Sequence, residues 1–180
     1  MKKLVLALAV VAAAVASQAA SYNWKTAKSG GAVIAGDGIT LAASTAYLFT
    51  ADSAASILSA FAAGNDWTIG ALDSSAFAET GKISVKPTSF DYSGDISAIF
   101  VVEQTVGGER YLYISTVASA TDPGVGSNSI QFKESAVGTA INDKSAGYVG
   151  AGWYGAVPEP TSGLLLLLGV AGLALKRKRA

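Results

Sequence analysis

Two apolar segments, one at each end, limit which part of this chain can fold as an ordinary water-soluble domain. Leu4 to Ala16 is an uninterrupted apolar run of 13 residues, and Leu164 to Leu175 carries no charged or hydrogen-bonding side chain. The residues between these ends amount to one ordinary domain. We therefore divide the chain into an N-terminal segment over residues 1–19, a central domain over 20–156 and a C-terminal segment over 157–180.

The N-terminal segment has the pattern of a secretory signal peptide. Met1-Lys-Lys3 is a short basic start, the apolar run follows, and Ser17-Gln18-Ala19 places small residues at the two positions that signal peptidase reads. We predict cleavage by signal peptidase after Ala19, with Ala20 as the second choice. No Cys follows the run, which excludes a bacterial lipoprotein. An uncleaved N-terminal anchor is the alternative.

The C-terminal apolar segment is short for a permanent membrane anchor. From Thr161 it runs 15 residues before the first Lys, which as a helix covers roughly 22 Å, whereas a bilayer core is about 30 Å thick. Local thinning and snorkelling cations still allow a marginal span. The four cations that follow are a strong stop-transfer signal: Lys176, Arg177, Lys178 and Arg179. The positive-inside rule places them in the cytoplasm, so the middle domain lies outside the inner membrane.

A proline-rich stretch precedes the apolar segment. Pro158 and Pro160 flank Glu159. Proline lacks a backbone donor and favours an extended conformation in the residue before it. Val157 to Pro160 is therefore expected to be exposed and extended just outside the membrane, where a membrane-embedded processing enzyme can reach it.

These three parts together resemble the PEP-CTERM sorting signal of bacterial exported proteins. The motif covers 157–163, the apolar helix 164–175 and the basic end 176–180, about 24 of 180 residues. In that family, exosortase, a transpeptidase-like membrane protease, recognises the tail, and members are commonly tied to surface material and extracellular polysaccharide. The resemblance implies an exosortase-like partner, residence in the inner membrane before processing, and then the cell surface or extracellular matrix. It implies routing only, and an ordinary C-terminal anchor is the alternative.

Composition excludes several classes of function. The middle domain keeps 7 of the 13 basic residues and 12 of the 13 acidic ones, a net charge of about −5. Such a domain is a poor binder of nucleic acid, which needs a basic surface. The chain contains no Cys and no His. Thiol catalysis, Ser-His-Asp hydrolysis and most transition-metal sites are thereby excluded.

Strand-like patterns dominate the middle domain and predict a small antiparallel β-sandwich or jelly-roll-like fold. The clearest is a hairpin, Ile96–Thr105 and Arg110–Val117 across Gly107-Gly108. Its near-continuous apolar character suggests a central position with both faces covered. Further strands are predicted at 21–27, 32–35, 39–42, 46–50, 67–69, 129–133 and 147–154. A second hairpin is predicted from 76–79 and 82–86 across Thr80-Gly81.

One short helix is predicted after the strand at 46–50. Ser53 or Asp52 caps it, and Gly64 ends it. Its apolar stripe consists of Ile57, Leu58 and Phe61. At about 11 residues, such a helix needs to pack against a sheet to be stable.

No catalytic, cofactor or metal site is predicted. The segments 36–38 and 91–95 offer carboxylates for calcium, but lack the spacing of calcium loops and are explained by turn chemistry. The acidic residues are dispersed and signal no glycosidase pair. Four aromatic residues can stack on sugars if exposed, but are more often core in β-domains: Trp24, Trp67, Trp153 and Tyr154.

The resulting expectation is a structural or interactive surface protein without a catalytic centre. Two other classes stay open. One is a carbohydrate-binding or adhesion module, and the other, less favoured, is a carboxylate-based hydrolase.

Overall fold

Strands dominate the part of the chain that the computed structural model describes, namely residues 20–26, 31, 33–36, 38–78 and 80–156. Within it the strands are β1 (Ala20–Lys25), β2 (Val33–Gly36), β3 (Ser44–Thr50), β4 (Asp73–Phe77), β5 (Thr88–Tyr92), β6 (Ile96–Val106), β7 (Glu109–Ile114), β8 (Ala118–Ala120), β9 (Ser127–Gln131), β10 (Ser135–Thr139), β11 (Ile141–Asp143) and β12 (Gly152–Gly155). A 3-10 turn, Ala51–Ser53, leads into one α-helix, α1 (Ala54–Ala62). The prediction of a mainly β domain with one short helix is confirmed.

The strands form two main sheets. The small sheet has the order β5-β1-β9, and the large sheet has the order β11-β12-β7-β6-β3-β4 with β8 also paired to β6. β2 and β10 form a separate pair. Pairing is not wholly antiparallel as predicted, because β1–β9, β2–β10 and β11–β12 are parallel. In the β1–β9 and β2–β10 pairs, a long segment of chain separates the two paired strands, which is what parallel neighbours require.

The inner core lies between the two sheets. Alternate residues of β1 point inward, and Tyr22 and Trp24 are completely buried. They share one apolar cluster with large-sheet residues such as Phe100, Tyr113 and Trp153. Burial of side chains of this size stabilises a fold by about 2 kcal/mol each. A hydrogen bond joins the sheets as well, since Trp24 Nε1 donates to Asp73 Oδ2 at 2.7 Å.

The outer face of the large sheet is covered by α1. Ile57, Leu58 and Phe61 of the helix pack with Ile99 and Val101 of β6 in a second apolar cluster. β6 therefore has apolar neighbours on both faces and lies between β3 and β7. This arrangement confirms the central position predicted for the hairpin, and the packing that the short helix needs.

The two ends of α1 agree with the sequence prediction to different extents. Gly64 ends it as predicted, with φ +74° and its N–H donating to Phe61 O at 3.1 Å. Ser53 occupies the predicted N-cap position, but its side chain makes no capping hydrogen bond, and its hydroxyl lies 2.9 Å from that of Thr50. The chain enters the helix through the 3-10 turn, which contains Asp52.

Two strand predictions fail because the backbone groups find other partners. Residues 67–69 are not a strand, since Thr68 N–H donates to Asp66 Oδ1 at 2.9 Å and turns the chain. The hairpin predicted from 76–79 and 82–86 is absent from the described residues. β4 pairs with β3, and Val85 N–H donates to Thr26 Oγ1 at 3.0 Å.

Of two further predicted strands, the one at 39–42 does not form and the one at 147–154 is shorter than expected. Within 39–42, Ile39 forms one isolated bridge to Gly36, and the backbone of Ala42 pairs with the Gln104 side chain. Of 147–154, only the last residues belong to a strand, because the N–H groups of Val149 and Gly150 donate to the Tyr154 hydroxyl.

Both terminal predictions fall outside the described residues. The signal peptide over 1–19 and the tail over 157–180 are therefore structurally untested. Among residues 20–156, as far as they are described, no helix has the length and apolar character needed to cross a membrane.

Candidate functional site

The apolar outer face of the large sheet gives way to a polar cleft beyond the reach of α1. Along β6 the residues on this face are Ile99, Val101 and then Glu103, and along β7 Leu112 is preceded by Arg110. Period-two alternation in paired strands brings Glu103 and Arg110 diagonally together. The sheet thus places two opposite charges next to its apolar cluster.

We call this site the Glu103 cleft. It is open to solvent and has a volume of about 370 Å³. β3, the loop after α1, β6 and β7 supply its lining: Ser44, Thr45, Tyr47, Asn65, Asp66, Trp67, Thr68, Glu103 and Arg110. The lining combines hydroxyl, amide, carboxylate, guanidinium and aromatic groups on one surface.

Glu103 is held in place by two neighbours. Arg110 donates from Nε to Oε1 at 2.6 Å and from Nη2 to Oε2 at 2.9 Å. Trp67 Nε1 donates to Oε2 at 2.7 Å. Hydrogen bonding by Arg110 is the main reason that the pKa of Glu103 is lowered, and burial opposes the shift. Glu103 therefore carries its negative charge at neutral pH.

Asp66 is the second carboxylate of the cleft. Its Oδ1 accepts hydrogen bonds from the N–H and the hydroxyl of Thr68, at 2.9 and 2.7 Å. These bonds, the side-chain one first, lower the pKa of Asp66. They also fix the loop between the two residues, and with it the position of Trp67. Both carboxylates of the cleft are consequently ionised at neutral pH.

Cations and an aromatic ring stand beside the cleft. The Arg110 guanidinium carbon lies 5.0 Å from the centroid of Phe61, and Lys144 Nζ lies 5.7 Å from it. Phe61 belongs to the buried stripe of α1 and is 2% exposed. The helix therefore supports the orientation of Arg110 by a cation–π contact.

A third carboxylate, Glu134, belongs to the interior instead. It is 8% exposed and accepts hydrogen bonds from the Tyr113 hydroxyl at 3.0 Å and from Thr116 N–H at 2.9 Å. The Thr116 hydroxyl is a further donor. Burial is the main cause of the raised pKa of Tyr113, and the charge of Glu134 adds to it. This network ties β7 to the segment after β9 in the interior of the domain.

The residues predicted from sequence lie elsewhere. Ala20 is the first residue of β1 and pairs with Tyr92, whereas Ala19, Val157–Pro160 and Lys176–Arg179 are outside the described residues. The aromatic residues considered as exposed sugar contacts are buried: Trp24 0%, Trp67 5%, Trp153 0% and Tyr154 0%. The core interpretation of all four is therefore correct.

The segments considered for calcium have other partners. Asp95 Oδ1 accepts from Asp122 N–H at 2.7 Å, and Gly94 N–H donates to Asp122 Oδ2 at 3.1 Å. These are loop-closing bonds, in line with the turn interpretation. Asp37, in the other segment, is not described. Among described residues, no cluster of three or more potential metal-ligating acidic side chains is present.

The Glu103 cleft itself was not predicted. Its residues come from four separate segments, and only the alternation along β6 and β7 hinted that Glu103 and Arg110 share a face. Trp67 was assigned to a strand, so its bond to Glu103 was beyond the reach of sequence patterns. The turn formed by Asp66 and Thr68 is the local signal that would have assigned Trp67 to a loop.

The described part is thus a β domain with two main sheets and an open polar cleft. Residues 156–179 match the family model of the PEP-CTERM protein-sorting motif. The tail therefore carries the predicted sorting motif, which supports an exported protein sorted by exosortase. No curated protein and no solved structure matches the chain.

Proposed function

We propose that this chain is an exported protein of the cell surface or extracellular matrix whose β domain is a non-catalytic interaction module. The carrying observation is the sorting motif, which begins at residue 156, directly after the domain's last strand. Signal peptidase removes residues 1–19, and the tail holds the chain in the inner membrane. An exosortase-like protease then cuts near Val157–Pro160, and the domain reaches the surface.

The electrostatics of the Glu103 cleft favour binding over hydrolysis. A glycosidase needs one carboxyl group with a raised pKa to protonate the leaving group. In this cleft hydrogen bonds lower the pKa values of both Glu103 and Asp66, whereas a general acid needs a raised one. The carboxylate-based hydrolase is therefore the weakest of the three candidate classes.

The same cleft favours an interactive role over a purely structural one. Its polar groups come from four segments, and Glu103 is fixed by three hydrogen bonds although its side chain is 25% exposed. A domain that only fills space has no need for a preorganised polar surface of this kind. A binding or adhesion module is accordingly the form of the proposal that the geometry favours.

A localisation experiment tests the proposal. In the native host, an antibody to the β domain should label intact cells or matrix that express the full chain. Replacing Pro158, Glu159 and Pro160 by Ala should abolish labelling and leave the protein in the inner-membrane fraction. Surface labelling unaffected by this triple substitution would contradict routing through the motif. A Lys133→Ala variant, at an exposed position outside the motif, is the control.

A further inference from the structure

Glu103 and Arg110 present unused hydrogen-bonding capacity to the cleft. Glu103 Oε2 accepts two hydrogen bonds, but Oε1 accepts only one and retains a lone pair. Arg110 has five N–H donors, of which these bonds use two. The Arg110 side chain is 41% exposed, so its remaining donors are accessible. An ionised acceptor and an ionised donor thus lie side by side, both already oriented.

Three neutral polar groups of the same cleft have no protein partner among the described residues. They are the hydroxyls of Thr45 and Tyr47 and the side-chain amide of Asn65. The first two project from β3 on the side facing the helix, and Asn65 follows α1. Hydrogen-bond donors and acceptors therefore face the Glu103 cleft both from β3 and from the loop after α1.

Tyr47 also offers a flat apolar surface. Its ring is half-buried and meets the Trp67 ring edge-on, with centroids 5.2 Å apart. Trp67 is too buried to stack on a ligand itself, but it immobilises both Tyr47 and Glu103. An aromatic ring that is held in place loses little entropy when a ligand stacks against it.

We propose that the Glu103 cleft binds a neutral saccharide, with two neighbouring ring hydroxyls bridging Glu103 Oε1 and Arg110 and the sugar ring lying against Tyr47. A vicinal diol donates to a carboxylate with one hydroxyl and accepts from a guanidinium with the next. A phosphate or an acidic sugar offers mainly acceptors. It matches the remaining donors of Arg110, but it leaves Glu103 Oε1 without a donor and meets the negative charges of Glu103 and Asp66. The inference rests on the proposed function, since it names the ligand class of the same module.

The test uses the full chain, purified in detergent and applied to an array of neutral and acidic glycans. Retention of at least one neutral glycan is expected, with weaker retention of its uronic acid counterpart. Asn65→Ala and Tyr47→Phe should each weaken binding about ten-fold, because each removes one polar contact to the ligand. Asn23→Ala and Tyr92→Phe are matched controls on the small sheet and should bind like the wild type.

Two results would overturn the inference. One is retention of no neutral glycan, and the other is retention that Asn65→Ala and Tyr47→Phe leave unchanged while both variants stay folded by circular dichroism. A parallel assay measures binding of the full chain to host cells that lack the protein. Cell binding that Asn65→Ala weakens, together with a blank array, would reject the saccharide and keep the interaction module. If the full chain neither retains a glycan on the array nor binds the cells, the interaction module is rejected as well.

Discussion

Arg110 clamps Glu103 through two hydrogen bonds, Nε to Oε1 at 2.6 Å and Nη2 to Oε2 at 2.9 Å, at the floor of the cleft. This pairing joins β6 to β7 where the apolar outer face ends. It also has a consequence for stability at low pH, because it is the main cause of the lowered pKa of Glu103.

Glu103→Gln should reduce the free energy of unfolding by about 1 kcal/mol at pH 7, a modest loss because the pair is partly exposed. The folded pKa of Glu103 lies below its unfolded value of about 4.3. Its contribution is therefore present above the unfolded pKa and lost as the pH falls through the folded pKa. Urea unfolding of the full chain from pH 7 to pH 3 should show the two proteins converging. Glu109→Gln, on the exposed neighbour, is the control, and a difference that does not shrink as the pH falls from 7 to 3 would contradict the account.

Gln104→Ala should cost about 1 to 3 kcal/mol, because it leaves two backbone groups without partners. Gln104 is 5% exposed; its Oε1 accepts from Ala42 N–H at 2.9 Å and its Nε2 donates to Ala42 O at 3.2 Å. Chemical denaturation measures the loss. Gln131→Ala, half-buried at the end of β9, is the control, and equal losses would show that the Ala42 pairing contributes nothing.

Trp24→Phe should destabilise the sandwich by about 2 kcal/mol, from lost buried area and from the lost bond to Asp73 between the two sheets. Combining it with Asp73→Ala tests the coupling in a double-mutant cycle. The pair should be less destabilised than the sum of the single variants, because the hydrogen bond can be lost only once. Strict additivity would mean that the bond does not stabilise the fold.

Gly155→Ala should destabilise β12 by about 1 to 3 kcal/mol through overpacking. A Cβ at Gly155 would lie 2.4 Å from Tyr111 Cδ1. Thermal unfolding should show a clear loss for the single variant. In a Tyr111→Ala background the added methyl group has room, so the further loss should be small. A full additional loss in that background would contradict the steric explanation.

The sequence predicted the elements whose own side chains decide their structure. The hairpin of β6 and β7 was located within about three residues, because Gly107-Gly108 and the apolar runs on either side are local signals. The helix was located by its stripe and by Gly64. In these cases the local pattern and the tertiary packing favour the same structure.

Predictions failed where a side chain replaced a strand partner. Gln104 pairs with Ala42, Thr26 with Val85, and Tyr154 with Val149 and Gly150. Each such bond satisfies backbone groups without a second strand, so an alternating pattern alone overestimates strand length. β5 was not predicted, because the residue pattern of Thr88–Tyr92 is weak and its pairing with β1 is non-local.

The Glu103 cleft lay beyond sequence reasoning for a related reason. Glu103 and Arg110 are seven positions apart and are brought together by the hairpin, but the wall that completes the site comes from β3 and from the loop after α1. Dispersed single charges carry no spacing that reveals such an arrangement. The sorting tail, in contrast, is contiguous and can be read directly.

The central claim is that the tail sorts an exported surface protein, and intact mass spectrometry of the protein from its native host tests it most directly. The account predicts an N-terminus at Ala20, or at Ser21 for the second cleavage choice. It predicts a C-terminus between Val157 and Thr161, with or without an added group. A mass that extends to Ala180 would contradict the account and make the tail a plain membrane anchor.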